Sequence, residues 1–212
     1  MSNNSTGSQS IFFCFAGAIG AGKSRICDEL IAQDQRLTLS VSSTTRQPRP
    51  GEVAGVDYNF ISLEEFQDLI ARQQLVEYTK FNENYYGTTR QILDSAIDQN
   101  KDVLLDIEIE GIENLKRIYG ERVVTVYVCP PSYEAWKERI GARGDSEEQI
   151  RRRLEIAKKE IAVLSRSEFS DYLLINGDLS VSVNEARQII AVERLRLSRF
   201  SRSYISGLFQ PQ

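Results

Sequence analysis

The chain has 212 residues, enough for one good hydrophobic core with smaller lobes inserted in it. Its 41% hydrophobic and 26% charged residues are those of a soluble globular protein, and a net charge of -4 favours neither nucleic acid nor an anionic membrane as partner. The complete lack of histidine excludes histidine triads, imidazole proton shuttles and His-ligated metal sites.

Residues 1–10, rich in Ser, Asn, Thr, Gly and Gln, have nothing to bury and are expected to form a disordered tail. The tail has neither the basic nor the apolar region of a signal peptide, and no later apolar run approaches the roughly 20 residues that span a bilayer. Cys14, Cys27 and Cys129 are odd in number and lack a C-x-x-C spacing. They read as small buried hydrophobes in a reducing compartment, which predicts a cytoplasmic protein.

An apolar run from Ile11 to Ala16 predicts the first strand, and the segment from Arg25 to Leu30 predicts the first turns of a helix. Between them Gly17-Ala18-Ile19-Gly20-Ala21-Gly22-Lys23-Ser24 fits G-x-x-x-x-G-K-[ST] at every specified position. A polyphosphate is wrapped by backbone N–H groups, and glycines let the backbone approach it. The helix N-terminus adds unsatisfied N–H groups and a positive dipole end. Lys23 reaches the β and γ phosphates, and Ser24 is placed to ligate Mg²⁺. A ligand-free turn has no need of Lys and Ser at those two places.

Leu37–Val41 predicts the next strand, and strand–helix–strand at this spacing points to a parallel α/β sheet. Ser42 to Gly51 is then a loop of turn formers and hydroxyls carrying Arg46 and Arg49. It suits an anion and equally fits a solvated linker. Tyr58–Ile61 predicts a short strand, and Ser62 with Glu65 a capping box before a helix. Leu75–Tyr78 and Asn84–Thr88 predict further short strands, with Thr88 or Thr89 capping a helix through Ile92, Leu93, Ala96 and Ile97. The region therefore reads as a small α+β lobe inserted in the α/β core. Its tyrosines are as readily lobe core as ligand contacts.

Asp102 to Glu108 resumes the core as an apolar strand that ends in acids, and Asp106 is placed like a Walker B acid supporting Mg²⁺. Val123–Val128 and Tyr172–Ile175 complete a five-stranded parallel sheet, followed by a turn at Asn176-Gly177-Asp178 and a helix from about Val183 to Phe200. Between these strands lies an arginine-rich helical segment whose Arg139, Arg143 and one of Arg151, Arg152 and Arg153 suit a mobile lid over a transferring phosphate. The basic stretch Arg194 to Arg202 reads chiefly as a core-packing helix with a solvated arginine face, and otherwise as a contact for RNA or another subunit.

Taken together, the P-loop, Ser42 to Arg49, Gly51-Glu52, Gly55 to Phe60, Asn84 to Thr88, Leu105-Asp106-Ile107 and Pro130-Pro131-Ser132 resemble guanylate kinases over nearly the whole length after the tail. The resemblance implies a P-loop kinase fold: core at 11–41, 101–131 and 167–212, GMP-binding lobe at 42–100, lid and connecting helix at 132–166. It implies that Arg46, Arg49, Tyr58 and Tyr86 hold the GMP phosphate, that Glu77 and Ser42 read guanine, and that Thr88 lies near the base. Asn176 matches the asparagine beside the adenine of ATP, Arg153 becomes the third lid arginine, and Glu108 takes the place of an Asp near the acceptor. Ala18-Ile19 replaces the usual Pro-Ser, and the lid is one residue shorter than usual. The implied reaction is Mg²⁺-dependent phosphoryl transfer from ATP to GMP, and to dGMP. Two relatives share parts of the pattern: guanylate-kinase-like domains that bind phosphopeptides without catalysis, and kinases with other phosphorylated acceptors such as ribose bisphosphates. The first typically have a degraded P-loop, and the second would lose the guanine-reading set.

Overall fold

A computed structural model describes residues 9–18, 20–81, 83–107, 109–141, 147–148, 150–151, 154–155 and 170–208, the side chains of 81 and 110 excepted. Ile19, Glu108, Arg143, Arg152, Arg153 and most of the expected second lid helix lie outside them. Five parallel strands form the main sheet in the order β2-β7-β1-β8-β9: β1 Phe12–Ala16, β2 Leu37–Leu39, β7 Asp102–Asp106, β8 Val123–Cys129 and β9 Tyr172–Ile175. The central strand β1 reads Phe-Phe-Cys-Phe-Ala because both its faces are covered. Phe13 and Phe15 pack with Ile26, Leu30, Val183, Ala186 and Ile190, from α1 (Lys23–Gln33) and α6 (Leu179–Leu195). Phe12, Cys14 and Ala16 face Leu93, Ala96, Ile112 and Leu115, from α3 (Arg90–Asp98) and α4 (Ile109–Tyr119). Each of these phenylalanines is fully buried, and truncating one to alanine costs about 3–5 kcal/mol.

A second sheet of four strands runs β4-β3-β6-β5, with β3 Ser43–Thr44, β4 Asn59–Phe60, β5 Leu75–Phe81 and β6 Asn84–Thr89. Its helix α2 (Leu63–Ala71) begins with the expected capping box: the Ser62 hydroxyl accepts from the Glu65 amide, and the Glu65 carboxylate from the Ser62 amide. Phe66 of α2 is buried, its ring 5.3 Å from that of Tyr85. Val76 of β5 belongs to the second core cluster, which joins this sheet to the main one. Helix α5 (Tyr133–Gly141) contributes Trp136 and Ile140 to a third cluster with Ala18 and Leu154. Among the described residues no helix is long and apolar enough to cross a membrane.

Several local expectations change. Gln9 and Ser10, placed in the tail by composition, join the fold: the Gln9 amide donates to the Arg199 carbonyl at 2.9 Å, and Ser10 is buried. Thr89 takes the N-cap position of α3, but its side chain makes no capping hydrogen bond. Helix α6 starts four residues earlier than Val183, because the Asp178 carboxylate caps the amides of Ser180 and Val181, and it ends at Leu195. Residues Leu197–Arg199 form a separate 3-10 turn.

Two of the four C-terminal arginines leave the expected solvated face. Arg194 donates to Asp102 at 2.7 Å and to Asp34 at 2.6 Å, bridging the start of β7 to the end of α1. Asp102 also accepts from the Ile11 amide at 2.8 Å. Arg199, 2% exposed, pairs with Glu193 at 2.6 Å and donates to the Glu121 carbonyl. Arg196 and Arg202 are exposed.

Candidate functional site

The site lies at the carboxyl ends of the main strands because parallel pairing brings those ends together. The register matches Phe15 of β1 with Asp106 of β7, and Ala16 with Tyr127 of β8, so whatever leaves β1 emerges beside Asp106. What leaves it is the glycine loop. Gly17, Gly20 and Gly22 take φ values of +139°, +84° and +95°, which other residues rarely adopt. A Cβ at Gly17 would run into the Val128 carbonyl oxygen, and one at Gly22 into the side-chain nitrogen of Asn176. Ala18 and Ala21 are buried, and a Cβ at Gly20 would sit 3.1 Å from Ile140. The loop is therefore packed from below by β8, the turn after β9 and α5.

At its helical end the Lys23 ammonium donates to the Gly17 carbonyl at 2.6 Å and lies 3.5 Å from Asp106. The Ser24 hydroxyl donates to the other Asp106 oxygen at 3.0 Å. Lysine, hydroxyl and carboxylate thus form one contiguous cluster at the N-terminus of α1. No group of three or more His, Cys, Asp and Glu residues suited to a metal ion occurs among the described residues. Mg²⁺ in nucleotide sites is held by one or two carboxylates with phosphate and water, and the adjacent Ser24 and Asp106 oxygens fit such an ion.

Asn176 and Arg139 close the other side. The Asn176 side chain is 5% exposed, its amide nitrogen donating to the Ala21 carbonyl at 2.7 Å and its oxygen accepting from Ser182 at 3.0 Å. Arg139 donates to the carbonyls of Asn176 and Gly177 at 2.8 and 3.0 Å.

The second group of expected residues gathers on the four-stranded sheet. Arg46 lies over the Tyr58 ring at 5.4 Å and the Phe60 ring at 5.7 Å, and the rings of Tyr58 and Tyr86 meet edge to face at 5.9 Å. Both terminal nitrogens of Arg46 donate to Glu52, at 2.9 and 2.8 Å, and Glu52 also accepts from the Arg49 amide at 2.7 Å. The Glu52 hydrogen bond and, less strongly, that of Tyr86 raise the Arg46 pKa against the effect of burial, so the fork stays charged. Burial, then the negative charge of Asp106, raise the Tyr58 pKa and keep its phenol protonated as a donor.

The hydroxyls of Thr44 and Thr45 serve the backbone. Thr44 donates to the Tyr85 carbonyl, the Tyr85 amide to Thr45, and the Arg46 amide to Thr44, which fixes where Arg46 leaves the chain. Ser42 is half-buried, its carbonyl accepting from the Asn59 amide at 2.9 Å. Glu77 pairs with Thr88 across β5 and β6 and accepts from its hydroxyl at 2.6 Å. Gly111 of α4 lies so close that a Cβ there would be 3.0 Å from the Glu77 side chain. Arg49 is exposed. Glu52 and Ser182 carry no role in the sequence reading: Glu52 stands in the Gly51-Glu52 motif, and Ser182 has only the inward spacing of α6 as a signal.

A glycine loop ending in Lys23 and Ser24, on the central strand of a 2-7-1-8-9 parallel sheet with an acid on the neighbouring strand, defines a P-loop kinase fold. The family model described as guanylate kinase matches residues 12–193. The guanylate kinase of Desulfitobacterium hafniense is 40% identical over 190 residues, covering 89% of this chain and 93% of that one. That of Clostridioides difficile is 39% identical over 186 residues, covering 87% and 89%. Among solved structures, guanylate kinase from Anaplasma phagocytophilum superposes with a TM-score of 0.74 at 26% identity, covering 97% of this chain and 98% of that one. The chain belongs to the guanylate kinase family.

Proposed function

We propose that the protein transfers the terminal phosphoryl group of Mg-ATP to GMP, giving ADP and GDP, and accepts dGMP as well. The observation that carries this reading is the pairing of an intact Lys23–Ser24–Asp106 cluster with a separate guanidinium and phenol cluster at Arg46, Tyr58 and Tyr86. One cluster suits a nucleoside triphosphate and the other a phosphate dianion. A phosphopeptide-binding domain would have no use for the first.

In this reading residues 42–100 form the acceptor lobe and 132–166 the lid, on a core of 11–41, 101–131 and 167–212. The backbone from Gly17 to Gly22, with Lys23, cradles the donor phosphates. Ser24 and Asp106 would hold Mg²⁺, which when bound neutralises charge on the phosphoryl group in transit. Arg46, Arg49, Tyr58 and Tyr86 position the acceptor phosphate, whose second pKa of about 6 leaves it largely ionised at neutral pH. The acceptor oxygen is then already a nucleophile and needs no general base, which agrees with a chain free of histidine. Glu77 accepts from N1–H and the 2-amino group of guanine, Ser42 donates to O6, and Thr88 holds the Glu77 carboxylate in place. Adenine offers an unprotonated N1 and no 2-amino group, leaving Glu77 facing an acceptor. By the family resemblance Arg139, Arg143 and Arg153 would bring positive charge to the transferring group as the lid closes, and Glu108 would replace the acid that serves the acceptor. Closure excludes water and limits ATP hydrolysis.

The half-buried or buried unpaired cysteines Cys14, Cys27 and Cys129 support a reducing, cytoplasmic setting. The reading is tested by following ADP release with GMP or AMP as acceptor at increasing Mg²⁺.

A further inference from the structure

We propose that Asn176, held by Ser182, is a positioning residue for the phosphate loop: it fixes the direction of the Ala21–Gly22 peptide. The inference rests on reading this loop as the ATP-phosphate site. Asn176 is distant from the loop in sequence, yet its side-chain nitrogen lies 2.7 Å from the Ala21 carbonyl oxygen. A carbonyl can only accept, so the NH₂ end of the amide must face the loop. The oxygen end then turns to Ser182, which is fully buried on α6 and donates to it at 3.0 Å. Each end of the amide has one suitable partner, which leaves the side chain one orientation.

The consequence for the loop follows from peptide planarity. In a trans peptide the C=O of one residue and the N–H of the next point in opposite directions. Holding the Ala21 carbonyl against Asn176 therefore turns the Gly22 N–H away from the packed underside of the loop, toward the side where an anion is received. Gly22 adopts φ +95°, and a Cβ there would collide with the Asn176 nitrogen. The glycine at this place thus serves the close approach of Asn176 as well as that of a phosphate. The turn is itself anchored: the Asn176 amide donates to the Cys129 carbonyl at 2.7 Å, and Arg139 donates to the Asn176 and Gly177 carbonyls. Asn176 acts in this account on the phosphate end of the donor, whatever base that donor carries.

The test compares binding of Mg-ATP and of base-free magnesium tripolyphosphate, by calorimetry, to the full chain and to Ser182→Ala and Asn176→Ala, with GMP affinity and melting temperature in parallel. Loss of the hold on the Ala21 carbonyl predicts that both variants lose affinity for both probes by a common factor of about ten, while GMP affinity stays within about twofold. Ser182→Ala removes a single oxygen, so it keeps the proposal testable if Asn176→Ala does not fold. Loss confined to ATP, with tripolyphosphate binding unchanged, would overturn the proposal in favour of a contact to the base. An unchanged Ser182→Ala, or a fall in GMP affinity matching that for ATP, would also overturn it, the latter by showing general loosening. A wild-type chain that binds neither probe overturns the reading of the loop itself; one that binds both while its variants match it overturns only the role of Asn176.

Discussion

Arg46 and Glu52 meet fork to fork, two guanidinium nitrogens on two carboxylate oxygens at 2.9 and 2.8 Å. The same carboxylate holds the Arg49 amide, so a single acid orders both arginine positions of the acceptor loop. Glu52 thereby presets the geometry that the acceptor phosphate needs. Glu52→Gln keeps the shape but loses the charge, and is expected to raise KM for GMP about tenfold with a smaller change in kcat. Steady-state kinetics at saturating ATP measure this; an unchanged KM would show that Arg46 and Arg49 order themselves.

Lys23 bridges the Gly17 carbonyl and Asp106. Lys23→Ala is expected to reduce kcat by at least about 100-fold, the usual loss when one positioned donor to a transition-state oxygen is removed. GMP affinity, measured directly by calorimetry, should hardly change. Normal turnover would remove the loop from the chemistry.

Gly17 has φ +139° and no room for a Cβ beside the Val128 carbonyl. Because the obstacle is backbone of the central sheet, Gly17→Ala has no side-chain movement to relieve it. A destabilisation on the order of 2–3 kcal/mol is expected, read from denaturant unfolding. Wild-type stability would mean that the loop relaxes freely.

The C-terminal clamps make stability sensitive to acid. Burial raises the Asp34 pKa, but hydrogen bonds from Arg194 and the Arg36 amide, with their charges, lower it more. Burial likewise raises that of Glu193, and Arg199, Tyr172 and the charge of Arg196 outweigh it. A carboxyl depressed by folding contributes its full stability above the unfolded carboxylate range, near pH 4, and loses it as pH falls through the folded value. The melting temperature should therefore be level from neutrality to about pH 5 and fall below that. Arg194→Met removes the cation that Asp34 shares with the buried Asp102, and is expected to cost about 3 kcal/mol at neutral pH, the deficit narrowing as pH falls through the folded Asp34 value because that part of the stability is lost from the wild type too. A stability difference that stays the same at about pH 7 and about pH 3 would contradict this.

The core was legible in the sequence because its strands are buried on both faces and read as apolar runs, as β1 and β8 do. The capping box at Ser62 and the loop from Gly17 to Ser24 were legible for a different reason: each is a local pattern with a single physical use. Part of what sequence left open depends on distant partners. Nothing near Arg194 in the chain shows that Asp34 and Asp102 await it, so composition gave a solvated arginine where the fold has an ion-paired one. Glu52 and Ser182, each six residues from its partner, were passed over for another reason. Each acts by holding another residue, Arg46 or Asn176, and such a role has no signature of residue type or spacing.

The choice of base rests on Glu77, fixed by Thr88 and backed by Gly111. Glu77→Gln replaces one acceptor oxygen with a donor, and should lower kcat/KM for GMP about 100-fold and narrow the preference for GMP over AMP.

The most direct measurement is a coupled ADP-release assay of the unmodified protein with Mg-ATP and, in parallel, GMP, dGMP, AMP and IMP. Rapid turnover with GMP and dGMP, weaker turnover with IMP, which lacks the 2-amino group, and almost none with AMP is the predicted result. Equal rates with AMP and GMP would contradict the role of Glu77, and no ADP release with any acceptor would contradict phosphoryl transfer itself.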